Sequence, residues 1–314
     1  MGRWDILRQD RAREAEVASA GPKPRSESKE GSVSVGRGAS DASSSSVADK
    51  LRSQEGRLRE PSPRHQTRHR EGDRTYSLRQ RELVAMTDIG TFRTVDVRDL
   101  SRFAYGGNQA AMNYDLGDLR SQGLVEVKTV PQAHQGPRKV VALTERGHRI
   151  LRKVGGLRKD QAIYHGYVKA REINHDADLY KVYQKAAAEI RRQGSRPVRV
   201  RLDFELKAAI QRERNVLRNR PEKEQKDHLE AFAKEHGLTI KGTVIRVPDV
   251  QVEYETREGE LERTNLELVS ENYRTAGIRS KAESGFTIYA RSGDTTRVRR
   301  ALQDTRTVER ILSL

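Results

Sequence analysis

The sequence predicts an α/β chain, α+β in the way its elements segregate: an unordered tail, a compact unit of helices and a hairpin, then a larger α/β unit. Three observations carry that expectation. Hydrophobic and charged residues each make up 34% of 314 residues, and mean hydropathy is -0.87. Core material is therefore expected in only part of the chain, with the length allowing about two domains. Between residues 78 and 154, apolar side chains recur at helical spacing and are interrupted by a strand–loop–strand. Beyond residue 160, helical and alternating segments follow one another.

Residues 1–75 hold Ser43-Ser44-Ser45-Ser46, scattered Gly and Pro, and a basic stretch over 57–74, without period 2 or 3.6. Such a segment cannot offset its ordering entropy by burial and is expected to stay disordered. Its run Arg64-His65-Gln66-Thr67-Arg68-His69-Arg70 suits either a flexible phosphate-touching arm or a solvated linker. Trp4, with Ile6 and Leu7, marks a short docking helix as a further option.

The next unit is expected over 76–154. A first helix over 77–89 takes Ser77 as its cap and Leu83, Met86 and Ile89 as its stripe. A short strand over 92–95 follows, and Asp96 caps a second helix carrying Val97, Leu100, Phe103 and Ala104. After the turn 105–108, a helix puts Met112, Leu116 and Leu119 on one face until Gly123 ends it. Strands from Leu124 and over 139–143 form a hairpin around the loop 131–137. Thr144 then opens a fourth helix.

Leu116-x-x-Leu119-x-x-x-Gly123-Leu124-Val125, followed by Val141-x-Leu143-Thr144-x-x-Gly147, resembles the winged helix-turn-helix modules of bacterial regulators. The resemblance implies a recognition helix whose outward face presents Asn108, Gln109, Asn113 and Arg120 to DNA. Asn and Gln pair bidentately with adenine, and Arg with guanine or phosphate. Tyr114 is a candidate groove residue, or is half-buried beside Leu119. The wing would bring Lys128, His134, Arg138 and Lys139 to the backbone. Winged helices also dock on proteins, so an adaptor is a second use of the same surface.

A linker over 155–160 leads to the unit over 161–314. Helices are expected over 176–193, 204–220 and 222–236, with strands over 196–203, 241–256, 263–271 and 286–289, and a last helix capped by Asp294. His175-Asp176-Ala177-Asp178 reads as a helix start whose carboxylates complement the dipole, rather than a metal cluster. Glu205, Pro248-Asp249 and Glu267, in that order, are similar to the core of PD-(D/E)xK nuclease-like domains. In those domains acids from neighbouring strands hold Mg²⁺ and a lysine two residues after the second acid activates water. Here that position is Val269, so the resemblance implies a degenerate, non-catalytic domain; Lys207 is a stand-in from the helix. With the upstream unit, the layout over 77–314 resembles the replication-relaxation family of plasmid and mobile-element proteins.

No Gly-rich phosphate loop ends in Gly-Lys-Ser/Thr, and the histidines lack zinc spacing. Tyr164, Tyr167, Tyr180 and Tyr183 lack the histidine triad that a relaxase nucleophile needs; Tyr180 and Tyr183 suit helix packing. With Cys 0, disulfide and thiolate chemistry are excluded. No apolar run approaches the roughly 18 residues that span a bilayer, and no apolar signal stretch follows Met1. The net charge of +16 and pI of about 10.1 point to a polyanionic partner.

The expectation is a cytoplasmic, nucleoid- or plasmid-associated protein that binds double-stranded DNA and needs no cofactor. A homodimer on two half-sites and a protein partner on the C-terminal unit are further expectations. The enzyme alternative, a metal-dependent endonuclease using Asp249 and Glu267, would require Mg²⁺.

Overall fold

The computed structural model describes residues 66–132, 136–154, 157–269, 273–302 and 311–313. The described chain is a mixed α/β structure. It opens on an antiparallel hairpin, β1 (Gln66–Glu71) and β2 (Arg74–Arg79), that runs directly into α1 (Gln80–Phe92). Two expectations change here. Gln66–Thr75 are strand and turn rather than tail, because β2 buries Tyr76 and Leu78. Ser77 lies within β2, and α1 begins after Arg79, whose backbone N–H and guanidinium both donate to the Glu82 carboxylate, at 2.6 and 2.9 Å. The rest of the expected tail lies outside the described residues, as does Trp4.

The short β3 (Val95–Asp96) leads into α2 (Val97–Ala104), where the Asp96 carboxylate accepts the Arg98 N–H at 2.7 Å. Next comes α3 (Gln109–Ser121), with Met112, Leu116 and Leu119 buried as their spacing predicts. Gly123, at φ 70°, makes the left-handed exit that side chains with a Cβ adopt at a cost. The strands β4 (Val125–Val130) and β5 (Arg138–Leu143) then pair antiparallel, giving a sheet ordered β3-β5-β4. Thr144 accepts the Gly147 N–H at 3.0 Å at the start of α4 (Glu145–Val154).

After an irregular stretch, α5 (Ile173–Arg192) precedes β6 (Arg196–Leu202), α6 (Asp203–Leu217) and α7 (Glu222–Glu235). The strand expected over 241–256 is broken. Two-residue strands β7 (Ile240–Lys241) and β8 (Val244–Ile245) pair with each other, and the chain restarts after Pro248 as β9 (Val250–Glu255). Proline has no N–H for a ladder bond, which is why the break falls there. β10 (Leu261–Val269) returns antiparallel to β9. A helix that the periodicity did not announce, α8 (Thr275–Glu283), crosses over to β11 (Thr287–Ala290), parallel to β10. α9 (Thr295–Leu302) and β12 (Ile311–Ser313) complete a five-stranded sheet ordered β12-β11-β10-β9-β6.

One buried cluster extends from Tyr76 to Tyr289, crossing the stretch where the sequence places a linker. Tyr180 of α5 packs edge-on to Phe92 of α1, with ring centroids 5.4 Å apart, and its hydroxyl donates to Asp88 at 2.8 Å. Tyr183 stacks obliquely on the same Phe92. Helix packing is thus the role of both tyrosines. Among the described residues no helix is long and apolar enough to cross a membrane.

Candidate functional site

The helix α3 presents Gln109, Ala110, Asn113, Tyr114, Gly117 and Arg120 outward. Its two carboxylates are tied down. Asp115 is fully buried and receives two bonds from Arg81, at 2.5 and 3.0 Å, and one from Arg79 at 3.2 Å. Asp118 pairs with Arg79 at 3.1 Å. An uncompensated carboxylate would not persist in that interior, so the arginines of β2 and α1 fix how α3 lies. What remains outward is, apart from Arg120, uncharged.

Several candidates gain defined places on that helix. Asn108 is its N-cap, its side-chain Oδ1 accepting the Ala111 N–H at 2.9 Å. Tyr114 is 64% exposed, not half-buried beside Leu119, and the Arg79 guanidinium lies 4.7 Å over its ring. Gly117 interrupts the helix interior, and nothing lies within 4 Å of where its Cβ would be. Glycine there costs about 1 kcal/mol relative to alanine, and no neighbouring side chain accounts for it.

On the hairpin β4–β5, Lys128 and Lys139 are exposed, with the Lys128 ammonium 4.3 Å from the Tyr167 ring centroid. Tyr167 itself donates to the Glu126 carbonyl at 2.7 Å. His134 lies outside the described residues. Arg138 is a correction: it is 2% exposed and faces inward, bonding Asp96 at 2.6 Å and Asp178 at 2.7 Å. Arg291 joins the same Asp178 at 2.8 Å. Burial alone would raise the Asp96 carboxyl; the bonds from Arg138 and Arg98 outweigh it and hold it below the ordinary range. Asp178, read as a dipole partner in the sequence, is instead the acceptor for these two arginines.

A second cluster sits at the ends of β9 and β10. Asp249 accepts the Leu268 N–H at 2.8 Å, which places it beside Glu267 on the next strand. Glu267 is fully buried, receiving the Tyr273 hydroxyl at 2.6 Å and the Lys281 ammonium at 2.9 Å. His175 bridges Asp176, at 3.2 Å, and Asp249, at 3.5 Å. Burial pushes Glu267 up to about 7 despite Lys281 and Tyr273. Burial also opposes the imidazolium of His175, yet the two aspartates more than reverse this and raise it to about 10. Glu205 is not brought into the cluster: its carboxylate bonds Tyr164, at 3.1 Å, and Arg199, at 2.9 Å. Lys207 pairs with Asp203 on its own helix. Val269 is buried in an apolar cluster with Ile278 and Phe286.

Compared with family models, curated proteins and solved structures, the chain matches none.

A magnesium ion between Asp249 and Glu267 is what the nuclease resemblance implies. The residues do not fit one. Their oxygens are turned to an imidazole, an ammonium, a phenol and a backbone N–H. Among the described residues no three His, Cys, Asp or Glu side chains are arranged to hold a metal. Lys281 and Tyr273 escaped the sequence reading, as did Arg79, Arg81 and Asp115. The first two lie on or beside the unannounced α8. The other three meet across 34 to 36 positions of chain, which local periodicity does not register.

Proposed function

We propose that this chain binds double-stranded DNA in a sequence-directed manner. The unit from α1 to α4 acts as a winged helix, with α3 entering the major groove and β4–β5 alongside the backbone. One observation carries the reading: both carboxylates of α3 are held back by Arg79 and Arg81, while Gln109, Asn113 and Arg120 are left outward. A face whose carboxylates are paired to arginines and which carries an amide pair and a guanidinium suits base edges flanked by phosphates. The bare surface at Gly117 supports a close approach by another molecule. The net charge of +16 supplies the long-range attraction that phosphate binding uses.

In this reading the C-terminal sheet is a non-catalytic relative of a nuclease-like domain, its acids compensated internally by Lys281 and His175. Replication, mobilisation or transcriptional control on a plasmid, phage or other mobile element is the setting the resemblance suggests. A gel shift across a salt series tests the proposal. Wild type shifts duplex DNA at low salt and loses the shift as salt rises, and Asn113→Ala and Arg120→Ala weaken it. Unchanged binding in both variants would sink the reading.

A further inference from the structure

We propose that the outer face of the β1–β2 hairpin is a second contact for the phosphate backbone of the same duplex. The inference rests on the reading of α3 as the groove-entering helix and extends it to an element placed in the sequence as a tail. In an antiparallel pair, directly opposed residues share a face. Thr67, His69 and Glu71 oppose Leu78, Tyr76 and Arg74, and this face turns inward, where Tyr76 and Leu78 are buried. Gln66, Arg68 and Arg70 oppose Arg79, Ser77 and Thr75, and make up the outer face.

Burial does not account for β1, since none of its residues is buried. An isolated two-stranded hairpin is marginal in water, yet this one is pinned from both sides. The Gln122 amide, just past the end of α3, bonds the Ser77 N–H and carbonyl, each at 3.1 Å. From α4, Arg149 bonds Glu71 at 2.7 Å and Lys153 donates to the Arg70 carbonyl at 2.6 Å. What the pinned strand presents is Arg68 and Arg70, both exposed and, among the described residues, without a carboxylate partner. Two positions apart on a strand, they stand roughly 7 Å from each other, so each guanidinium can take its own phosphate oxygen.

The outer face also runs onto the candidate helix. Arg79 belongs to it and reaches the Tyr114 hydroxyl at 3.3 Å and Asp118 at 3.1 Å. A duplex seated on α3 therefore has the Arg68–Arg70 pair beside the end of that helix. The wing hairpin leaves from the same end through Gly123, so the phosphate-contacting surface continues past α3 onto β1.

The test is fluorescence anisotropy of the full chain with a labelled random-sequence DNA duplex across a potassium chloride series, comparing wild type, R68Q/R70Q and Arg120→Ala. The double variant is expected to keep the wild-type thermal midpoint, because both side chains are exposed. It should bind more weakly, with a log affinity against log salt slope shallower by about 1.8, or 0.9 for each lost phosphate contact. Unchanged slope and affinity in R68Q/R70Q, with binding weakened by Arg120→Ala, would overturn the hairpin contact and leave the α3 reading standing. Absence of duplex binding by the wild type would overturn both.

Discussion

Asn108, the cap of α3, and Asn113, within its second turn, are both exposed, and they do different work. Asn108 holds the helix start through its bond to Ala111, so Asn108→Ala should cost about 1 kcal/mol of stability, measured by urea unfolding. Asn108→Ser restores the cap, and is expected to restore most of that stability with DNA affinity retained. An Asn113→Ala variant should show the reverse, with stability unchanged and affinity reduced. Gly117 separates the two properties again. Alanine there should raise stability by about 1 kcal/mol, whereas Gly117→Leu, filling open space on the outer face, should lower DNA affinity without unfolding the protein. At this scale the buried apolar positions were legible, since Met112, Leu116 and Leu119 follow from helical spacing alone. Asp115 was not: an acid beside Leu116 reads as solvent-facing until Arg79 and Arg81 arrive from distant chain.

Elements meet through charges that look superficial in the sequence. Arg138 follows Pro137 at the end of the hairpin loop and reads as a wing-tip cation, yet β5 carries it inward between β3 and α5. Replacing it by glutamine leaves Asp96 and Asp178 buried with diminished compensation, and should destabilise by roughly 3–5 kcal/mol, seen as a lower urea midpoint. The junction of α5 with β9 and β10 makes a pH prediction. His175 is raised from 6.5 to about 10, so its contribution is fully present below pH 6.5 and lost as pH climbs toward 10. The gap in unfolding free energy between wild type and His175→Gln, measured by urea titration, should therefore be widest below pH 6.5, on the order of 1–2 kcal/mol after allowance for solvent screening, and should close by pH 10. A gap that widens with pH would contradict the bridge to Asp176 and Asp249. Most helices and strands were legible from periodicity. The misplaced ones are the β1–β2 hairpin, the strand expected over 92–95 and found at Val95–Asp96, the broken strand before Pro248 and the missing α8; they lie where short elements are fixed by contacts rather than by a repeating stripe.

At the scale of the whole molecule, the boundary suggested by the glycine-containing stretch near residue 155 does not divide the core. Ile163 packs where a Cβ on Gly90 would stand, 2.7 Å from that position. Tyr180 covers Phe92 from α5. A fragment comprising residues 66–154 would uncover both surfaces, and circular dichroism should show it melting with less cooperativity and at a lower temperature than the full chain. A full-length-like melt would mean that the shared core is dispensable. The sequence spacing located the helix face, but it could not reveal that the second sheet is packed against the unit carrying that face. The central claim, that α3 reads duplex DNA, is tested most directly by affinity selection from a random-sequence duplex pool. Wild type is expected to enrich a defined sequence and Asn113→Ala to lose that enrichment. Retention of no duplex by the wild type, or the same sequence enriched equally by both, would contradict it.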